Sequence, residues 1–300
     1  MKEVSILYTE GKGKFEEGKI TIPDLKPYQI RVKSKMTGVC RSDIEMMHGN
    51  FGPLPLEMQG HEGLGEVLEV GADVKDVEVG DYVATRGEPA YADEYNANDG
   101  TFVKVPRLDP KNIIEPVACG LNVVMKEEDK FEKRNVNGAR LAIIGSGFLA
   151  CVVYQYLNAH YFFEVDVLGK SNKELWGDKL KDSLDTTYDI VIDLNTRDEV
   201  FTQDIVTEQG LVVLGAEKSN GITTRFERLL WNAVTVVFPS PRQKNFKRSM
   251  EMAVKMIETG ALDIDKFWSK GYDRETEWQD AFKESDYRMP GFNRGYIEWL

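Results

Sequence analysis

The chain has few cysteines, no long apolar run and no excess of basic residues, and each of these absences excludes a class of protein. Its three cysteines, Cys40, Cys119 and Cys151, are too few and too widely spaced for a disulfide framework, so each is treated as a thiol. The longest nearly apolar run, residues 141–154, is shorter than the roughly 18 to 20 residues of a membrane span. Residues 1–14 lack the apolar core of a signal peptide. We therefore expect a cytoplasmic protein that does not cross a membrane.

Acidic residues outnumber basic ones. The 300-residue chain carries 38 Lys and Arg against 50 Asp and Glu, which gives a formal net charge of −12. A field of this sign repels nucleic acid and anionic membranes, so neither is expected as a partner. A small-molecule ligand that bears phosphate must then be held by a local device. The length corresponds to about two domains, and 42% hydrophobic residues are enough to form their cores.

The texture of the sequence changes between residues 110 and 120. Before this point, short alternating or β-branched segments are punctuated by Gly, Pro and Asp, which predicts a β-rich, barrel-like unit. After it, continuous apolar runs alternate with helix-length segments, which predicts a parallel sheet with helices on both faces and an α/β fold class. The predicted strands are Val4–Leu7, Gln29–Lys33, Glu66–Val70, Tyr82–Ala84, Arg140–Ile144, Val165–Leu168, Asp189–Asp193, Leu211–Leu214 and Val234–Phe238. The clearest predicted helix covers residues 241–259, with Ser240 as its cap and Gly260 at its end. The aromatic segment after Leu262 is expected to return to the first unit.

A glycine-rich turn follows one of the predicted buried strands. Residues 141–144 lead directly into Gly145-Ser146-Gly147-Phe148-Leu149-Ala150, a G-x-G-x-x-A pattern, and a helical segment follows. The first glycine permits a tight turn, the second lets the backbone approach a pyrophosphate, and the alanine allows close helix packing. The helix N-terminus adds free N–H groups and a favourable dipole. We predict a dinucleotide site at residues 145–149, with a plain tight turn as the alternative.

The loop after the next predicted strand bears on the choice between NAD and NADP. An NAD-binding protein usually carries an acid at this point, about 20 residues after the turn, for the ribose 2′-hydroxyl. Here the loop reads Gly169-Lys170-Ser171-Asn172-Lys173, and Asp166 lies within the strand, too early to serve. Without the acid a 2′-phosphate is not repelled, and Lys170, Ser171 and Lys173 can contact it. The sequence therefore favours NADP, with a solvated loop of surface lysines as the alternative.

Potential metal ligands occur in the β-rich half. The segment Gly38-Val39-Cys40-Arg41-Ser42-Asp43 is followed, 21 residues after the cysteine, by Gly60-His61-Glu62, and Glu115-Pro116 comes later. Thiolate, imidazole and carboxylate are the ligand types of a catalytic zinc. A Cys40 thiolate, a neutral His61 and one carboxylate sum to −2, which balances Zn²⁺, and such a metal lowers the pKa of a bound alcohol. Taken singly, Cys40 is also compatible with a small buried apolar side chain and His61 with a core histidine.

A resemblance rests on these motifs together. The pattern Gly60-His61-Glu62-x2-Gly65-x5-Gly71-x2-Val74 has the form of the zinc alcohol dehydrogenase signature of the medium-chain dehydrogenase/reductase family. The motifs at Cys40, at Gly80-Asp81-x-Val83, at Glu115-Pro116 and at the glycine turn follow in the same order. The resemblance implies a GroES-like catalytic domain at residues 1–120 and 265–300, and a Rossmann NADP-binding domain at residues 121–264.

The resemblance also implies residue roles. Cys40 and His61 are similar to the zinc ligands, and Glu62 and Glu115 to the acids that supply or exchange the remaining positions in polyol and sugar members. Ser42 matches the hydroxyl that relays the substrate proton, and Asp43 the carboxylate that orients the ligand histidine. Arg41 stands where some members reach the pyrophosphate.

Within the family, Cys40-Arg41-Ser42-Asp43-Ile44-Glu45-x3-Gly49-x-Phe51-Gly52 is most similar to glucose dehydrogenases and their sugar-oxidising relatives. One departure is large: no cysteine lies between Asp81 and Phe102, so the lobe that binds a structural zinc is not expected. The family further implies a homo-oligomer, a dimer or tetramer. Candidate substrate contacts are Glu88, Glu94 and Asn293.

The leading hypothesis is a zinc-dependent oxidoreductase that passes a hydride from a sugar or polyol alcohol to NADP. An NAD-dependent alcohol, polyol or threonine dehydrogenase is the alternative within the enzyme class. A non-catalytic nucleotide-binding protein on the same fold is the alternative from another class. A zinc enzyme of either kind requires that folding bring the Cys40 sulfur and the His61 imidazole within about 6 Å, because zinc–ligand bonds are only ~2.0 to 2.3 Å long.

Overall fold

The chain divides into two units in the computed structural model, which describes residues 1–52, 54–195, 204–216, 225–289 and 291–299. The first unit comprises Met1–Ala118 and Asn245–Leu300, and the second Cys119–Lys244. The strands are β1 Lys2–Tyr8, β2 Glu16–Ile22, β3 Gln29–Gly38, β4 Gly63–Val70, β5 Tyr82–Thr85, β6 Glu94–Asn98, β7 Phe102–Lys104, β8 Arg140–Ile144, β9 Glu164–Leu168, β10 Leu180–Lys181, β11 Tyr188–Asp193, β12 Val206–Leu214, β13 Thr235–Val237, β14 Trp268–Asp273 and β15 Arg294–Glu298. The helices are α1 Arg41–Met47, α2 Glu115–Met125, α3 Glu128–Glu132, α4 Phe148–His160, α5 Lys173–Trp176, α6 Phe226–Trp231, α7 Phe246–Glu258 and α8 Trp278–Tyr287.

The first unit is built on a seven-stranded sheet. Its order is β14-β15-β3-β4-β5-β7, with β6 also paired to β3, and β1 and β2 form a separate hairpin. The predicted return of the tail is confirmed, because Tyr296 on β15 pairs with Gly38 on β3. An aromatic cluster fixes this arrangement: the Phe15 and Phe282 rings stack with centroids 3.7 Å apart, and the edge of Tyr91 meets both rings. The end of β3 that leads to Cys40 is held between β15, through the pair Tyr296 and Gly38, and β4, through the pair Gly63 and Thr37.

The second unit confirms the predicted parallel sheet. Its strand order is β10-β9-β8-β11-β12-β13, with every pairing parallel. This is the doubly wound order 3-2-1-4-5-6, in which ligands bind at the carboxyl ends of the strands where the order reverses. Strands β8 and β11 are almost fully buried, which explains their unbroken apolar runs. The glycine turn lies at the carboxyl end of β8, beside that reversal.

The prediction for the clearest helix is wrong at its N-terminus. The helix α7 begins at Phe246 rather than Pro241, because Asn245 has a left-handed backbone with φ of 72°. Ser240 instead accepts a hydrogen bond from the Arg242 N–H at 3.2 Å and so caps a turn. Lys247 on this helix donates to Asp76 at 2.8 Å. The helix lies in the first unit, whose second segment begins at Asn245.

Helix length and polarity bear on the membrane question. Within the described ranges, no helix combines the length and the apolar character that crossing a bilayer demands.

Candidate metal centre and nucleotide turn

Cys40 is positioned by the end of a strand and the start of a helix. Strand β3 ends at Gly38, and Cys40 precedes the first residue of α1 with an extended backbone, φ −88° and ψ 155°. Its N–H donates to Asp43 Oδ2 at 2.8 Å, which ties the cysteine to the first turn of the helix. The half-buried sulfur is thereby fixed by main-chain geometry.

His61 and Glu62 lie immediately before β4, which pairs with β3. The turn that presents them requires Gly60, whose φ is 74° and whose place leaves no room for a side chain. A Cβ there would lie 2.6 Å from the Tyr91 ring. The pairing of β3 with β4 brings this turn beside Cys40, since Thr37 opposes Gly63.

The sulfur of Cys40, a ring nitrogen of His61 and a carboxylate oxygen of Glu62 all lie within 4.8 Å of one another. The distance requirement stated for Cys40 and His61 is therefore met. A thiolate, an imidazole and a carboxylate at this spacing suit a tetrahedral zinc, and their charges balance a divalent ion. The donor set fits the metal that the sequence predicted.

Asp43 connects the metal centre to the protein interior. The Asp43 side chain is fully buried. Its Oδ2 accepts hydrogen bonds from the Cys40 N–H and from the Tyr91 O–H, each at 2.8 Å. Its other oxygen, Oδ1, has no hydrogen-bond partner among the described residues and lies 3.7 Å from His61 Nδ1. The carboxylate thus faces the imidazole, as expected for a group that orients a ligand histidine.

The electrostatics of His61 reflect the negative charge around it. Burial lowers the pKa of His61, but the Asp43 carboxylate, the Cys40 sulfur and the Glu115 carboxylate raise it well above its usual value. Tyr91 remains a donor, because burial and the neighbouring Asp43 carboxylate raise the Tyr91 pKa well above its usual value. The centre is therefore an anionic pocket that favours a cation.

Glu62 is held from the opposite side by Arg294. Arg294 Nη2 donates to both carboxylate oxygens of Glu62, with 2.5 Å to Oε1, and the Glu62 side chain is fully buried. Burial lowers the pKa of Arg294, but the Glu62 carboxylate and the Cys40 sulfur more than reverse this and raise it. Arg294 is the first residue of β15, so the returning tail completes the metal centre.

The other residues predicted near the metal take different places. Glu115 lies outside the cluster of three; it begins α2, and its Oε1 lies 3.9 Å from Arg86 Nε. Ser42 is half-buried on α1. Arg41 pairs with Glu45, its Nη2 lying 2.7 Å from Oε1. The ligand role of Glu115 and the relay role of Ser42 stay predictions.

The suggested substrate contacts are dispersed. Glu94 lies on β6 and binds Lys2 at 2.6 Å, which places it in an ion pair with the first strand. Asn293 donates its N–H to Ser269 at 2.8 Å. Glu88 lies 4.0 Å from Arg86 Nη2. Arg86 thus lies near both Glu88 and Glu115.

The glycine turn of the second unit has the geometry that a dinucleotide requires. Gly145 has a φ of 120°, which permits the sharp exit from β8. Gly147 precedes the first residue of α4, and a Cβ built on it would meet no atom within 4 Å. The backbone is therefore open to a pyrophosphate in front of the helix N-terminus. The turn fits the predicted cofactor.

The loop after β9 is tied to this turn by Ser146. The Ser146 and Ser171 hydroxyls lie 2.8 Å apart, and the Ser146 carbonyl accepts from Asn172 at 2.9 Å and from Trp176 Nε1 at 3.0 Å. Lys170 and Lys173 are exposed. Asp166 accepts from Tyr188 at 2.9 Å, which confirms that it is engaged within the sheet.

Tyr91, Arg294 and Arg86 were not predicted as site residues. Each reaches the centre only through tertiary packing, and nothing in its local sequence marks it. The signal closest to a clue is the aromatic segment after Leu262, which predicts a return to the first unit but not that Arg294 reaches the centre.

Comparison with known proteins agrees with this geometry. The alcohol dehydrogenase GroES-like domain family matches residues 26–124. The chain is similar to L-arabinitol 4-dehydrogenase of Talaromyces emersonii, with 36% identity over 98 residues, which are 29% of this chain and 25% of that protein. The match therefore spans a quarter of the length of this curated relative.

Two solved structures share the fold over nearly the whole chain. An alcohol dehydrogenase of Escherichia coli CFT073, complexed with NADH, has a TM-score of 0.81 at 15% identity and covers 99% of each chain. A candidate zinc-binding dehydrogenase of Sinorhizobium meliloti 1021, bound to NADP, has a TM-score of 0.75 at 18% identity and covers 100% of each chain. At these identities the likeness extends to the fold alone.

Proposed function

We propose that this chain, whose residues 26–124 match the alcohol dehydrogenase GroES-like domain family, is a zinc-dependent dehydrogenase of the medium-chain family that oxidises a sugar or polyol alcohol with NADP. One observation carries the proposal: Cys40, His61 and Glu62 present sulfur, nitrogen and oxygen within 4.8 Å of one another. A nucleotide-binding protein without catalysis has no need of this donor set. The intact centre therefore favours an enzyme.

In the proposed mechanism, the chain's own residues hold and deprotonate the substrate. When bound, zinc supplies Lewis-acid stabilisation of the alcohol oxygen, and the nicotinamide supplies the hydride acceptor. Cys40, His61 and Glu62 would hold the metal, and Asp43 would keep the imidazole oriented. Ser42 accepts the proton of the substrate hydroxyl and passes it towards solvent.

The substrate class rests on two supports of different kinds. The motif around Cys40 is most similar to glucose and sugar dehydrogenases, and a curated relative acts on L-arabinitol, a polyol. Glucose and L-arabinitol each offer a secondary or anomeric alcohol beside further hydroxyls. A glucose dehydrogenase-like activity and a polyol dehydrogenase activity thus share the proposed chemistry.

Preference for NADP is supported by the loop after β9. Exposed Lys170 and Lys173 flank Ser171, and Asp166 is bonded to Tyr188 rather than available to a ribose. A 2′-phosphate would therefore find the cations of Lys170 and Lys173, and Asp166 is not available to repel it. NAD is the second candidate, because a structural neighbour was solved with NADH.

A homo-oligomer, assembled through the second unit, is part of the proposal. Among the described residues, β13 forms the edge of its sheet and pairs with β12 alone. Exposed apolar side chains flank this edge: Phe226, Leu230, Trp231 and Phe238. Open edge strands with such neighbours tend to associate.

We place the protein in the cytoplasm, as the low cysteine content favours.

Metal analysis and turnover test the proposal together. Cys40→Ala should lose bound zinc and activity, whereas Cys151→Ala, which removes a buried thiol in α4, should keep both. Activity is followed as reduced-nicotinamide absorbance over aldoses, polyols and alcohols, with Michaelis constants for NADP and NAD. Turnover that persists in Cys40→Ala after metal loss would reject the zinc mechanism. Equal constants for both nucleotides would reject the NADP preference. Nucleotide binding without any turnover would favour the non-catalytic alternative.

A further inference from the structure

Arg86 lies beside the metal centre although no motif contains it. Strand β5 pairs with β4 so that Thr85 opposes Gly63, the residue that follows Glu62. Arg86 comes one residue after Thr85, and its N–H donates to the Thr101 carbonyl at 2.8 Å. The backbone therefore holds Arg86 next to the segment that carries two of the metal ligands.

The Arg86 side chain carries a buried donor that has no hydrogen-bond partner within the described ranges. The side chain is 13% exposed. Its Nε is buried and forms no hydrogen bond with any described residue. Glu115 Oε1 lies 3.9 Å from Nε and Glu88 Oε1 lies 4.0 Å from Nη2, both beyond hydrogen-bond length. A buried donor left unpaired destabilises the folded protein, so such groups usually meet a ligand or a water.

The charges around Arg86 indicate what this ligand is. The Arg86 guanidinium lies 3.9 Å from a Glu115 carboxylate oxygen and 4.0 Å from one of Glu88, so these acids already offset its charge and a neutral ligand suits it better than an anion. A hydroxyl suits it, because a hydroxyl oxygen accepts from a guanidinium N–H while its own hydrogen is donated to a carboxylate. Glu115 also raises the pKa of His61, so this group lies within electrostatic range of a predicted metal ligand.

We propose that Arg86 is a specificity-determining residue that binds a hydroxyl of a polyhydroxylated substrate, next to the carbon being oxidised. This inference rests on the proposed function and deepens it, since it selects polyols over monohydric alcohols. The Arg86 guanidinium donates to the substrate hydroxyl, and Glu88 or Glu115 accepts from it. A monohydric alcohol lacks this hydroxyl and leaves the buried donor unpaired, which is the situation in which polar sites discriminate strongly.

Direct binding tests the inference without relying on turnover. The probes are xylitol and 2-pentanol, both five-carbon compounds with a secondary alcohol, titrated into the zinc-loaded protein and followed by saturation-transfer NMR. Arg86→Leu removes all donors, and Arg86→Lys keeps the charge but loses the planar fork, which protects against loss of fold. Arg107→Leu is the control, because Arg107 is an exposed arginine that also pairs with an acid, Asp109. Zinc content is measured for every variant.

We expect xylitol to bind about 10- to 100-fold more weakly to Arg86→Leu, which corresponds to one hydrogen bond to a charged group. Arg86→Lys should show a smaller loss, and Arg107→Leu none. Binding of 2-pentanol should change by less than about threefold in every variant. Wild-type protein that binds no xylitol, or xylitol affinity that is the same in wild type and both Arg86 variants, overturns the inference.

The outcomes separate this inference from the proposed function. Xylitol binding that depends on Arg86 in a protein without hydride transfer would support the inference and refute the dehydrogenase. Turnover of alcohols with no dependence of xylitol binding on Arg86 would support the dehydrogenase and refute the inference. Equal losses for xylitol and 2-pentanol would indicate a structural role for Arg86 and would also overturn it.

Discussion

The metal centre of the first unit and the glycine turn of the second unit are built in opposite ways. The centre consists of side chains from four separate segments: Cys40, His61 and Glu62, Tyr91, and Arg294. The turn consists of main chain within one short segment, residues 145–148, with a neighbouring loop that supports it. The first site therefore depends on charge balance in a buried interior, and the second on open backbone.

This difference predicts how each site fails. Removing one side chain from the metal centre leaves another charge buried without a partner, so stability and metal affinity suffer together. Adding one methyl group to the turn changes no charge and meets no protein atom, so ligand binding should suffer alone. The variants that follow test this contrast, beginning with the largest expected effect.

Arg294→Met should cause the largest decrease in the free energy of unfolding. Glu62 would remain buried without its cation, and breaking such a pair costs about 3–5 kcal/mol. Urea unfolding of the metal-free protein measures the free energy of unfolding. The double variant Glu62→Met/Arg294→Met should recover most of the loss, because both charges are then absent. A single variant as stable as the wild type would show that the pair does not contribute.

Tyr91→Phe should weaken zinc binding about 10- to 100-fold, the usual effect of removing a partner of a ligand-orienting group. Asp43 then loses the O–H donor that fixes its Oδ2, and its hold on His61 loosens. Competition with a chelator of known affinity measures the zinc dissociation constant. The control is Tyr95→Phe, since Tyr95 is equally buried but bonds Thr85. Equal zinc affinities in the two variants would contradict the role given to Tyr91.

Gly147→Ala should lower nucleotide affinity about tenfold and leave the free energy of unfolding within about 0.5 kcal/mol, because its Cβ meets only open space. Gly145→Ala should lower the free energy of unfolding as well, since a backbone φ of 120° strains a residue with a side chain by about 1–3 kcal/mol. Fluorescence titration with NADPH and urea unfolding measure the two quantities. A stable Gly147→Ala variant with unchanged NADPH affinity would show that the pyrophosphate does not bind at this turn.

Lys170→Gln with Lys173→Gln should give the smallest change, a reduction of about two- to fivefold in the ratio of NADP to NAD affinity. Exposed charge contacts contribute about 0–1 kcal/mol each and weaken with salt. The ratio is measured at two ionic strengths. Lys133→Gln, at an exposed lysine that pairs with Asp129, serves as the control. A ratio insensitive to both lysines would favour NAD-type recognition.

The sequence predicted the glycine turn more completely than the candidate metal centre. Strand β8 and the glycine turn could be located because continuous apolar residues and a local G-x-G-x-x-A pattern act within one segment. Cys40 and His61 could be paired because ligand chemistry restricts the choice of residue type. The partners Tyr91, Arg86 and Arg294 could not be found, since each reaches the centre only through strand pairing between distant segments.

The start of α7 shows a further limit. Apolar spacing extends a predicted helix towards Pro241, but the left-handed Asn245 and the contact of Lys247 with Asp76 decide where the helix begins. The helix lies in the first unit, although the sequence predicted it in the second. Periodicity describes one face of a segment and contains no information on the backbone angle that ends it.

The dependence of Glu62 on Arg294 has a consequence for biosynthesis. Synthesis runs from the N-terminus, so a nascent chain contains Glu62 for 232 residues before it contains the Arg294 guanidinium that pairs with this acid. Until then β3 also lacks β15 as its neighbour. We therefore expect a nascent chain that ends before Arg294 to hold the predicted zinc less tightly than one that includes this residue.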